Sequence, residues 1–71
     1  MKTVQAWIAR DMDSSIWLYF NKPVKTHVLW RTGNSDDILR LNNPDFPNVK
    51  WEDEEPTEVE ITIKVKQHEE T

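Results

Sequence analysis

The 71-residue chain carries nine Lys and Arg against thirteen Asp and Glu, a net charge of −4, with no cysteine, one glycine and four tryptophans. A chain this short makes one small domain that buries only about 60% of its unfolded surface, and without cysteine neither a disulfide staple nor a thiolate metal site is open to it. The acidic balance disfavours generic binding to phosphate backbones or membrane surfaces, and no stretch approaches the ~20 apolar residues of a membrane span.

Taken in chain order, the opening MKTVQAWIARDMD reaches Arg10 and Asp11 before any long apolar run builds, so no signal peptide is expected and the expected compartment is the cytoplasm. Residues 3–10 alternate. Val4, Ala6 and Ile8 share one face, and Gln5, Trp7 and Ala9 share the other, a strand pattern with apolar groups on both sides. DMDSS, residues 11–15, is a turn, because aspartate and serine side chains bond their own backbone and stabilise bends without glycine. IWLYF, residues 16–20, is a second strand rich in β-branched and aromatic residues. Pro23, which has no N–H for a ladder, ends it or marks an edge.

HVLWR, residues 27–31, reads as a third strand, TGNSDD as the hairpin turn that holds Gly33, and ILRL, residues 38–41, as a short fourth strand. The stretch 42–56 is irregular, since Pro44, Pro47 and Pro56 break any continuous ladder or helix. A short helical turn fits around residues 43–46, and Phe46, Val49 and Trp51 are placed to anchor the stretch on the sheet. TEVEITIKVK, residues 57–66, alternates most strictly: Val59, Ile61, Ile63 and Val65 against Glu58, Glu60, Thr62, Lys64 and Lys66. QHEET, residues 67–71, is a polar tail. No window of ten or more residues shows a 3.6-residue period. The expectation is an all-β domain over residues 1–66, a small antiparallel sheet or open barrel of about five strands.

Pairing the first two strands across residues 11–15 sets Ala9 opposite Trp17 and Trp7 opposite Tyr19, with all four side chains on one face. The sheet then has an aliphatic side, which the last strand's stripe marks as the core, and an aromatic side. If residues 42–56 do not cover the aromatic side, Trp7, Trp17 and Tyr19 form a patch of the kind that contacts partners.

Glu52, Asp53, Glu54 and Glu55 run consecutively, and the segment 52–60 holds six carboxylates and no base. Charges flanking an apolar strand keep it soluble and blunt an exposed edge. They can also steer a basic protein partner. DMDSS begins like a calcium loop, but the twelfth position, where the loop needs a bidentate glutamate, is Lys22. His27 and His68 lie far apart, and a single glycine rules out a glycine-rich phosphate loop. No catalytic, metal or cofactor residues are expected, and an enzyme is not.

AWIARDMDSSIWLYFNKPVK at the start and FPNVKWEDEEPTEVEI near the end resemble a group of small uncharacterised bacterial proteins, mostly from gut commensals and their mobile elements. The shared positions here are Ala6, Trp7, Ala9, Arg10, Asp11, Asp13, Lys22 and Pro23, then Phe46, Pro47, Val49, Trp51, Glu52, Asp53 and Pro56. Ser14 stands where the group usually has glycine. The resemblance implies no activity. It implies that the acid run belongs to one recurring unit with Phe46 and Trp51.

The function expected is a non-enzymatic interaction module that contacts a basic protein through Trp7, Trp17 and Tyr19, with Glu52, Asp53, Glu54 and Glu55 steering. An acidic nucleic-acid mimic that inhibits a DNA- or RNA-binding protein is the alternative, and a glycan-binding module is a third. Neither direct nucleic-acid nor membrane binding is expected. Oligomeric state is open, and the last strand is the one suited to pair across a dimer edge.

Overall fold

The computed structural model describes residues 1–33 and 38–66. Its strands are β1 (Lys2–Arg10), β2 (Ile16–Tyr19), β3 (Val24–Lys25), β4 (Trp30–Arg31), β5 (Ile38–Leu41) and β6 (Thr57–Ile63). Four of them form an open antiparallel sheet in the order β5-β2-β1-β6, and β3 pairs with β4 as a separate ribbon. The fold is all-β and is not closed into a barrel. No described helix is long and apolar enough to cross a membrane.

The first hairpin has the register that alternation predicts, with Trp7 opposite Tyr19 and Ala9 opposite Trp17. Its turn is built without glycine. The Asp11 N–H donates to the Ser15 carbonyl at 2.8 Å, and Asp13 Oδ1 accepts from the Ser15 N–H at 2.9 Å and from its hydroxyl at 2.5 Å. Ser14 sits in the left-handed region at φ 78. β6 pairs with β1 as Val4 to Ile61 and Ala6 to Val59, so the two aliphatic stripes share a face. β6 ends at Ile63, opposite Lys2, three residues short of the strand expected from the pattern. The 67–71 tail lies outside the described residues.

The third strand expected over residues 27–31 does not form. The Thr26 N–H donates to the Leu29 carbonyl at 2.8 Å, and the Thr26 hydroxyl donates to the same carbonyl at 2.7 Å and accepts from the Leu29 N–H at 3.2 Å. Thr26 thereby folds the apolar run back on itself, leaving two residues of strand on each side. The hairpin expected between the third strand and residues 38–41 is replaced as well, because β4 pairs with β3, and β5 pairs with β2. Residues 34–37 of its turn lie outside the described residues.

Both faces of the sheet are core. On the aliphatic side Ile8, Ile16 and Val49 are buried, with Leu18, Leu41 and Val59 against them. On the aromatic side Ala9, Tyr19 and Trp30 are buried, flanked by Trp7, Trp17, Ile38 and Trp51. The chain between β5 and β6 crosses from one edge of the sheet to the other around the end where the β1–β2 turn lies. Val49 therefore reaches one face and Trp51 the other. Phe46 is not an anchor: it is 50% exposed, at φ 58, and holds the crossing through its backbone carbonyl.

Candidate functional site

The aromatic side is covered chiefly by the ribbon. Trp30 lies over Tyr19, and the Tyr19 hydroxyl donates to the Trp30 carbonyl at 3.4 Å. Tyr19 is 2% exposed. Burial, with a smaller contribution from the charge of Asp11, pushes its phenol up to about 12. Tyr19 is therefore no part of a contact surface. Trp7 and Trp17 are half-buried. The Trp17 indole N–H donates to Ser15 Oγ at 3.1 Å, and the Arg40 guanidinium lies 5.6 Å from its ring centroid. Lys25, on β3, closes the remaining gap. Its ammonium is 4.3 Å from the Trp51 ring centroid and 5.8 Å from that of Trp30, and it donates to the carbonyls of Trp51 at 2.5 Å and Asp53 at 2.9 Å.

The four acids divide into different roles. Asp53 is half-buried; its Oδ2 accepts from the Lys50 N–H at 3.0 Å, and its own N–H donates to the Lys50 carbonyl at 3.1 Å. Glu55 meets Lys22 at 3.5 Å in an exposed pair that adds little stability. Glu52 and Glu54 are exposed, and neither carboxylate has a hydrogen-bond or ion-pair partner among the described residues. Glu58 accepts from the Gln5 amide across the β1–β6 ladder.

A surface that the sequence reading passed over lies where the two hairpins meet. Asp11 Oδ1 accepts the Trp30 N–H at 2.9 Å, and the Met12 N–H donates to the Val28 carbonyl at 3.4 Å, so the β1–β2 turn is tied to the β3–β4 turn. The tie brings three apolar side chains together in the open: Met12 at 53% exposure, Val28 at 56% and Leu29 at 38%. They line a shallow cavity of about 510 Å³ with Asp11 and Asp13. Met12 also lines a second open cavity, of about 590 Å³, that extends to Trp51 and Glu52. Met12 and Asp11 thus line both hollows, the first with Asp13 and the second with Glu52 as well as Arg10 and Lys50.

The two aspartates differ in their electrostatics. Burial raises the Asp11 pKa and Asp13 adds repulsion, while the Trp30 N–H and Ser15 pull it back. The hydroxyl and N–H of Ser15 lower the Asp13 pKa. The one available signal in the sequence was Met12 itself, an apolar side chain in an otherwise polar turn. Val28 and Leu29 were hidden inside an apparent strand.

Among the described residues no three of His, Cys, Asp and Glu gather to hold a metal ion. The chain matches no protein-family model, no curated protein and no solved structure.

Proposed function

We propose that this protein is a non-enzymatic interaction module that docks a partner carrying apolar and basic side chains at the end of the sheet where the hairpins meet. Met12, Val28 and Leu29 make the apolar contact. Asp13, Glu52 and Glu54 set the approach, since charges at the rim of an interface govern encounter more than affinity. The observation that carries this reading is the joint exposure of those three side chains, with Glu52 and Glu54 nearby lacking an ion-pair partner among the described residues. Contiguous apolar groups rimmed by polar ones mark protein contacts.

Of the expected acidic surface Glu52 and Glu54 stay in this proposal, Asp53 and Glu55 leave it, and the aromatic part is replaced. A nucleic-acid mimic needs a row of free carboxylates, whereas Asp53 is tied to Lys50 and Glu55 is paired with Lys22. A glycan platform needs open ring faces, whereas Tyr19 and Trp30 are buried against each other. Both observations favour protein docking.

The test compares immobilised wild-type protein with a Met12→Asp/Val28→Asp variant in the same cell lysate, with far-ultraviolet spectra confirming that both are folded. A partner held by the wild type, released by rising salt and lost from the variant is the expected result. A partner that the variant holds equally well overturns the assignment.

A further inference from the structure

Among the described residues β6 pairs only with β1, so its outer edge presents a row of backbone donors and acceptors. A long edge with branched apolar residues beneath it is a template for another strand. Ile63, the last residue of β6, is 53% exposed, and Val65, past its end, is 81% exposed. The order of charges at alternate positions is the informative feature: Glu58, Glu60 and Thr62 on the opposite face of β6, then Lys64 and Lys66 just past its end. Acids fill the first half and bases the second, with a neutral residue at the centre.

We propose that two copies of the chain associate antiparallel through β6, with residues 64–66 extending that strand on association, about a two-fold axis at Thr62. In this register Glu60 lies opposite the second copy's Lys64 and Glu58 opposite its Lys66. Thr62 meets its own counterpart. On the other face Val59 lies opposite Val65, and Ile61 opposite Ile63. Directly opposed residues of antiparallel strands share a face, and opposite charges, threonine pairs and branched pairs there each favour association. The two-fold axis makes each acid–base pair occur twice.

Other registers do worse. A one-residue slip sets charged side chains against the aliphatic stripe. Moving the axis to Ile61 sets Glu60 opposite Thr62 and leaves Lys66 without an acid. A parallel in-register pairing aligns acid with acid and base with base, so the same charges act against open-ended stacking. The dimer is an eight-stranded sheet, β5-β2-β1-β6 continued by its symmetry mate, and the contact is closed because each copy has one β6 edge. The interface is separate from the Met12 surface: the residues of β1 beside Thr62 and Ile63 are Thr3 and Lys2, at the end of β1 away from the turn.

Light scattering and sedimentation over micromolar to millimolar protein test the proposal. The wild type is expected to be dimeric. Glu60→Lys and Lys64→Glu each turn two attractive cross-strand pairs repulsive, and each is expected to raise the dissociation constant by roughly tenfold to a hundredfold. The double variant Glu60→Lys/Lys64→Glu restores opposite charges and is expected to dimerise again. Because the chain has no cysteine, Thr62→Cys gives a second measurement. A short bis-maleimide is expected to join two copies at Thr62→Cys and not at Thr3→Cys, one strand inward. A monomeric wild type at millimolar concentration overturns the proposal. So do single variants that dimerise as the wild type does, a double variant as weak as the singles, and equal cross-linking at the two cysteines.

Discussion

The Nε of Arg10 donates to the carbonyl of Val49 at 2.7 Å, joining the end of β1 to a residue 39 positions later in the chain. The rest of the guanidinium is used as fully. Nη1 donates to the carbonyls of Ser14 at 2.7 Å and Asn43 at 2.8 Å, and Nη2 to those of Asp45 at 2.9 Å and Phe46 at 3.2 Å. An irregular segment without strand partners has to place its carbonyls somewhere, and a rigid planar fork of five donors gathers several at one point.

Arg10→Lys keeps the charge and loses the fork. The cost is expected to be about 1–3 kcal/mol, from lost charge-assisted bonds and the part-buried Val49 carbonyl left without its donor. Urea unfolding followed by tryptophan fluorescence measures it. A loss of less than about 0.5 kcal/mol, the scale of an ordinary surface change, contradicts the structural role.

Ser14→Gly is expected to stabilise. A non-glycine residue in the left-handed region carries a penalty of roughly 1–2 kcal/mol, part of which glycine's greater unfolded-state freedom offsets. The expected net gain is about 0.5–1 kcal/mol, read as a higher urea midpoint at unchanged slope. Ser14→Val is expected to shift the midpoint the other way, because a branched side chain tolerates φ 78 least.

Lys25→Met keeps the aliphatic stem and removes the ammonium between Trp30 and Trp51. The loss of its ring contacts and of donors to two carbonyls is expected to cost about 1–3 kcal/mol. The same substitution is expected to change the tryptophan emission of the folded state, since two of the four indoles lose a neighbouring charge.

Tyr19 sets an alkaline limit. Its folded-state pKa is raised to about 12 from 10.0, so the native state holds the phenolic proton more tightly than the unfolded chain. Stability from this group is complete below pH 10 and is lost as pH rises through 12. The loss is on the order of 2–3 kcal/mol. Tyr19 is the only tyrosine, so phenolate absorbance reports it alone, and Tyr19→Phe is expected to remove this part of the alkaline loss. Phenolate formation at the ordinary pH with the fold intact contradicts the burial.

Among the acids, Glu52→Gln with Glu54→Gln is expected to leave stability within about 0.5 kcal/mol. Asp53→Ala removes the acceptor of the Lys50 N–H and is expected to cost about 1 kcal/mol. Thermal melts of the two variants side by side show whether the run is uniform or divided.

The first hairpin was legible because period-two alternation and a turn of Asp and Ser fix register locally, down to Trp7 against Tyr19. The stripe on β6 was legible for the same reason. The ribbon was not. The segment from Val24 to Arg31 contains enough branched and aromatic residues for one continuous strand, and the bonds of Thr26 to Leu29, through its N–H and its hydroxyl, reverse it. With the ribbon unread, the cover over Tyr19 went unseen, and so did the meeting of Met12 with Val28. The role of Arg10 was equally hidden, because its partners are backbone carbonyls that any residue could supply.

Val49 and Trp51 are two residues apart and lie in different hydrophobic clusters, one on each side of the sheet. Two clusters this small, if independent, would melt separately and give broad, probe-dependent curves. A clip two residues long prevents that, because lifting either side chain from its seat pulls on the other. Circular dichroism, tryptophan emission and calorimetry should therefore trace a single coincident transition, and shortening the clip's grip at either end should lower the midpoint for all three together.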